Sequence, residues 1–205
     1  MKQFGVSRLW RHNQQLEDTS NSRVLFMFTV MEQINEEHYR KLERMYLTSK
    51  GNTAYYETMT LNISHKKTEL TLDISDKYFH AWGAIHGSVY FKMLDDAAFF
   101  AVNSIVEDAF VLTTSFNINL LRPVSAGKLR AVGQVRFSSR QLFVAEATLY
   151  NEAGKEVAFG TGNFAKSKVA LSAEIGYKWI SFGKHMEIEP IKNPKIFLKE
   201  IGIIG

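Results

Sequence analysis

The residues best placed to do chemistry lie in one stretch, Ala84-Ile85-His86-Gly87-Ser88-Val89-Tyr90-Phe91-Lys92-Met93-Leu94-Asp95-Asp96-Ala97-Ala98-Phe99-Phe100-Ala101. It reads as a helix that is apolar on most faces, the kind that is normally buried. Two adjacent carboxylates nevertheless occupy its middle. A buried carboxylate must be paired, shift its pKa or take part in a reaction. Helical spacing makes the two unequal, because surface neighbours lie three and four positions apart. Asp96 has Lys92 at i−4 and Asn103 at i+7, so a rim ion pair accounts for it. Asp95 has Phe91 at i−4, Ala98 and Phe99 at i+3 and i+4, and Val102 at i+7. That stripe is apolar apart from Ser88 and the edge of Lys92, so Asp95 is the candidate for a functional carboxylate. The start of the helix supplies a second ingredient. First-turn N–H groups have no internal partner, and the helix dipole favours negative charge there. Gly87 lets a ligand approach that backbone closely, and its N–H can hold a developing oxyanion. His86-Gly87 also suits a plain loop-to-helix turn with a structural histidine, and spacing alone leaves both readings open.

The elements around this helix must position it. Residues 32–48 have a helical period through Ile34, Leu42, Met45 and Tyr46, with Tyr39 near the stripe and Lys50-Gly51-Asn52 as the stop. From Ala54 the period changes to two, which predicts a strand through Ile63. His65-Lys66-Lys67 is a turn, and Thr68 to Ile74 alternates again, which completes a hairpin. Asp73 to Gly83 is a loop whose Tyr78, Phe79, His80 and Trp82 either cover the core or line a pocket. The central helix is expected from about His86 to Ile105. Four strand-like runs follow, at Ala109–Leu121, Gly127–Ser138, Leu142–Asn151 and Lys155–Ala165, separated by hairpin-length connections. One long helix and one antiparallel sheet predict a two-layer α+β domain.

The chain has 205 residues, 45% hydrophobic and 22% charged, enough for one ordinary core with extensions. It contains no cysteine, which excludes disulfides, zinc-thiolate sites and thiol nucleophiles. The net charge of +4 suits anionic ligands. No run of Lys and Arg with interleaved aromatics points to nucleic acid, and no stretch approaches the ~20 apolar residues of a membrane span. Four segments are expected. Residues 1–30 are a disordered or non-native extension, with Met31 as the natural start. Residues 31–52 are an N-terminal helix, 53–167 the main domain and 168–205 a tail of unknown role.

His86-Gly87, Asp95 nine residues after the histidine, and Ala97-Ala98 with Ala101 resemble the phenylacetate-pathway (PaaI-like) branch of the hotdog thioesterases. Val111-Leu112-Thr113-Thr114, Leu120-Leu121-Arg122-Pro123, Ala126-Gly127, and Gly154, Ala158, Gly160 and Gly162-Asn163-Phe164 extend the likeness from about Tyr55 to Lys166. The resemblance implies the hotdog fold, a long helix wrapped by an antiparallel sheet. It implies hydrolysis of an acyl-CoA thioester, with Asp95 as base or nucleophile and the Gly87 N–H, after His86, as the oxyanion site. Thr113, with Thr114 the near alternative, would place the attacking water. It further implies a homodimer or dimer of dimers with the site between subunits, no metal, and coenzyme A only as part of the substrate. A cytoplasmic location goes with that substrate. Two positions depart from the family. Ser88 replaces the second glycine of His-Gly-Gly, and His80 replaces an asparagine six residues before His86; both would border the substrate. Arg140 and Lys166 lead the basic residues, ahead of Arg122, Lys128 and Arg136, as partners for the nucleotide phosphates. A non-catalytic acyl-CoA or acyl-carrier binding module and a hotdog dehydratase or hydratase are the alternatives.

Overall fold

The computed structural model describes residues 35–178. α1 is helical over 35–47, and α2 spans Lys50–Tyr55. The hairpin β1 (Thr60–Ser64) and β2 (Lys67–Asp73) precedes the long helix α3 (Gly87–Asn103). Strands β3 (Ala109–Leu120), β4 (Lys128–Ser138), β5 (Leu142–Tyr150) and β6 (Glu156–Ala170) complete the fold. The six strands form one antiparallel sheet in the order β1-β2-β4-β5-β6-β3, packed around α3. This is the hotdog arrangement expected from the sequence.

Small residues explain how the helix sits so close to the sheet. Ala97, Ala98 and Ala101 on α3 are buried against a sheet whose inner face carries Ala131, Gly133, Ala145 and Ala147. At the centre, a Cβ on Gly133 would lie 2.0 Å from the Ala97 carbonyl oxygen, so helix backbone rests directly on strand β4. Larger side chains (Met93, Leu94, Leu70, Leu72, Leu129, Leu149, Val157, Phe164) fill the space on either side.

Three details differ from the sequence expectation. The last four strands do not succeed one another as hairpins. β4, β5 and β6 do, but β3 lies at the far edge beside β6. Residues 121–127 carry the chain across beneath the start of α3, where the Ile85 N–H donates to Val124 O at 2.9 Å and the Tyr90 hydroxyl to Arg122 O at 3.1 Å. Second, Ala54 and Tyr55 belong to a helix rather than a strand. The buried Asn52 amide donates to Tyr46 O at 2.7 Å and ties α2 to α1, overriding the local alternation; β1 begins only at Thr60. Third, β6 continues to Ala170, and the chain after it returns to α1. The Tyr177 hydroxyl lies 2.7 Å from Nδ1 of the buried His38, whose Nε2 donates to Asn103 O at 2.8 Å. Burial holds the His38 pKa below its ordinary value.

The two edges of the sheet are treated differently. On β1, Glu43 of α1 accepts from the Ile63 N–H at 2.7 Å and Arg40 donates to Ile63 O at 3.1 Å, so a helix covers that edge. Among the described residues β3 pairs only with β6 and its outer side carries no strand. The expectations for residues 1–30, for Ile34 and for the tail beyond Lys178 lie outside the described residues.

Candidate active site

The loop before α3 is pinned at its base. Phe79 and Ile85 form an antiparallel bridge, and the His86 N–H donates to Tyr78 O at 2.8 Å. Within it the His80 N–H donates to Ala84 O at 2.9 Å, and Nδ1 of the half-buried His80 accepts from the Trp82 N–H at 3.1 Å. The loop aromatics divide: Tyr78 is buried, whereas Trp82 is 92% exposed.

His86 is the N-cap of α3, with φ −66° and ψ 143°. Its Nδ1 accepts from the Ser88 N–H at 3.1 Å and lies 2.8 Å from the Ser88 hydroxyl. The histidine therefore does the work that Ser, Thr or Asp usually does at this position. Ser88, the departure from His-Gly-Gly, is committed to that cap. This role was missed in the sequence; the signal available was a hydroxyl residue two positions beyond a capping acceptor. The cap leaves the Gly87 N–H without a partner among the described residues.

From Gly87 one stripe of α3 runs along β3. A Cβ on Gly87 would lie 3.3 Å from Leu120 Cδ1. The Phe91 and Phe116 rings meet edge to face at 5.8 Å. The Thr113 hydroxyl donates to Asp95 Oδ1 at 2.9 Å. Phe99 packs on Phe110 with ring centroids 5.0 Å apart. Residues 87, 91, 95 and 99, spaced at i+4, thus face residues 120, 116, 113 and 110. Phe116 lies flat across β6 because Gly160 and Gly162 have no side chains there; a Cβ on either would fall within 2.6 Å of its ring. Along this stripe Phe91 and Leu120 are exposed and Asp95 is half-buried.

Asp95 is held above the ordinary carboxylate pKa, chiefly by burial; the Thr113 hydroxyl opposes this, Asp96 reinforces it and Lys92 opposes it again. A raised but not abolished acidity suits a general base near neutral pH. Asp96 points elsewhere. Its Oδ2 accepts from Lys92 Nζ at 2.7 Å and from the Tyr46 hydroxyl, so it is the ion-paired member expected from spacing.

A bulge separates the two threonines. Thr113 pairs with Phe164 and Ser115 with Asn163, so Thr114 is the extra residue between them. Its hydroxyl donates to Asn163 O at 3.0 Å instead of facing Asp95. A bulge of this kind re-aims a side chain beside a site. Of the basic residues, Arg122 donates to Glu156 O, and Arg136 and Lys128 are paired with Glu146 and Asp73. Lys166 is paired with Asp108, beside the first half of β3, and its N–H donates to Gln141 O at 3.2 Å. Arg140, next to Gln141 in the β4–β5 turn, is exposed. A depression of about 220 Å³ on the outer face of the sheet is lined by Glu146, Thr148, Glu156 and Phe159, beside the Arg136–Glu146 pair and the Arg122–Glu156 contact, and Asp95, Thr113 and Gly87 are not among its lining residues. Among the described residues no cluster of three His, Asp or Glu gathers to hold a metal ion, and no helix is long and apolar enough to cross a membrane.

Comparison with known proteins agrees with the fold. Residues 83–158 match a family model described as the thioesterase superfamily. The PaaI protein of the Escherichia coli phenylacetic acid degradation operon is 20% identical with a TM-score of 0.61, over 67% of this chain and 99% of that one. A conserved protein of Pseudomonas aeruginosa is 24% identical, TM-score 0.56, over 60% and 98%. Zebrafish thioesterase superfamily member 2 is 18% identical, TM-score 0.55, over 62% and 94%. No curated protein matches the sequence. Residues 83–158 thus match the thioesterase superfamily, and the fold is the hotdog arrangement that the likeness to a PaaI-like thioesterase implied.

Proposed function

With the thioesterase-superfamily match over residues 83–158 as premise, we propose that this chain hydrolyses acyl-CoA thioesters in a cleft shared by two copies. The observation that carries the reading is Asp95, held by Thr113 of β3 on a stripe with the exposed Phe91 and Leu120; the outer side of β3 carries no strand among the described residues. In this reading the Asp95 carboxylate takes a proton from water as the water oxygen bonds to the thioester carbon. The carbonyl becomes an oxyanion held by a Gly87 N–H. Collapse of the adduct breaks the carbon–sulfur bond, releases a carboxylic acid and expels the coenzyme A thiolate, which takes up the proton. No metal or resident cofactor enters the scheme. Arg140 and Lys166 meet the nucleotide phosphates, and Phe91, Phe116 and Leu120 meet the acyl group. His80 and Ser88 border the mouth. A cytoplasmic location belongs to the same reading.

Distance supports a site built from two copies. Gly87 and Asp95 lie eight residues apart on one helix, about 12 Å along its axis. Base and oxyanion donor must each come within about 3 Å of atoms of one adduct. Pairing of the free β3 edge with a second copy, antiparallel about a two-fold axis, brings Gly87 of the partner subunit toward Asp95. The capping role of His86 weighs against the dehydratase reading, since its Nδ1 is already used.

The test is release of free thiol from a panel of acyl-CoAs by wild type and Asp95→Asn. A loss of about 10²–10⁴-fold in the variant is expected. Absence of release from every substrate, with tight binding of the esters, would favour the binding module instead.

A further inference from the structure

We propose that Lys92 and Asp96, clamped by Tyr46 of α1, form a neutral pair that sets the charge environment of Asp95. The inference rests on the reading of Asp95 as the base. Tyr46 lies outside the family-matched segment.

The geometry is a three-part clamp. Asp96 Oδ2 accepts from Lys92 Nζ at 2.7 Å and also from the Tyr46 hydroxyl. The ammonium lies 5.0 Å from the centre of the Tyr46 ring and 5.1 Å from that of Tyr56. Tyr46 is itself fixed, edge to face on Phe100 at 4.9 Å, with its hydroxyl also 2.8 Å from Met59 Sδ. Both charged side chains are mostly withdrawn from water, at 25% and 19% exposure. Lys92 stands at i−3 from Asp95 and Asp96 at i+1. Facing Asp95 from the sheet is the neutral Thr113 hydroxyl; from its own helix come Lys92 and Asp96; Tyr46 and Tyr56 face Asp96. An unpaired Asp96 would hold Asp95 protonated to higher pH, and an unpaired Lys92 would do the reverse. Joined, their fields largely cancel, and the acidity of Asp95 is left to burial and Thr113. Tyr46 and Lys92 are then positioning residues rather than catalytic ones.

The two halves carry opposite signs, which a purely structural role would not. The Asp95 carboxyl is followed by carbon-13 NMR titration, with Asp95→Asn identifying its signal, beside the pH profile of kcat/KM. Lys92→Met should raise the Asp95 midpoint and Asp96→Asn should lower it, each by roughly 0.5–1 pH unit. The double variant should return near wild type, and Tyr46→Phe should give a smaller upward shift. Single variants that shift the midpoint in the same direction, or not at all, with far-UV circular dichroism unchanged, overturn the proposal. Midpoints that move with opposite signs while the acid limb of the rate stays still uphold the pair and instead remove Asp95 as the base.

Discussion

Gly87→Pro mixed with Asp95→Asn is the most searching test of a shared site. Gly87 is the first residue of α3, and proline is favoured there because the lost N–H has no helical partner. The residue before it, His86, already has the extended φ and ψ that a following proline requires. The nearest obstacle is a terminal methyl of the exposed Leu120, 3.3 Å from a new Cβ. Gly87→Pro therefore deletes one hydrogen-bond donor with little cost to the fold. Each parent variant should lose about 10²–10³-fold in kcat or more. In the proposed two-copy site a heterodimer sets the Asp95 of one chain against the Gly87 of the other, so one site is intact and the second lacks both groups. Co-expression with two different tags and tandem purification isolates that species. Its thiol release should reach about half the wild-type value per dimer, and an unsorted 1:2:1 mixture about a quarter. A folded heterodimer no more active than its parents would refute the two-chain site and with it the 12 Å argument.

Gly133→Ala should destabilise by roughly 3 kcal/mol, or about 6–12 °C in Tm by calorimetry, because neither β4 nor the backbone of α3 at Ala97 can yield to a new methyl. Thr113→Val should remove the donor that favours the ionised form of Asp95. Its pKa then rises further, the acid limb of kcat/KM moves to higher pH, and kcat near neutrality falls about tenfold. Asp95→Asn should raise Tm at pH 7 by roughly 2–4 °C. The folded-state pKa of Asp95 is raised, so its favourable contribution exists below the unfolded pKa and is lost as pH rises through the folded value. The thermal advantage of asparagine should accordingly shrink in scans taken at progressively lower pH; an equal gain at every pH would contradict the burial argument.

Much of this molecule was legible without coordinates. Helical periodicity separated Asp95 from Asp96, because neighbours on a helix are set by a period that needs no tertiary information, and Lys92 duly pairs with Asp96. The strand runs after α3 were visible as alternation between turn residues. Their order was not: β3 crosses to the far edge because residues 121–127 bond to Val157, Ile85 and Tyr90 rather than folding back. The capping role of His86, the bulge that turns Thr113 toward Asp95 and Thr114 away, and the closure of α1 over β1 were equally hidden. Each depends on which backbone groups another segment has already satisfied, and that is a property of the assembled sheet. Sequence spacing alone placed a carboxylate and a free N–H on one helix. Only the fold put that helix beside β3, whose outer side carries no strand among the described residues, and the rise of a helix sets the two groups about 12 Å apart along its axis.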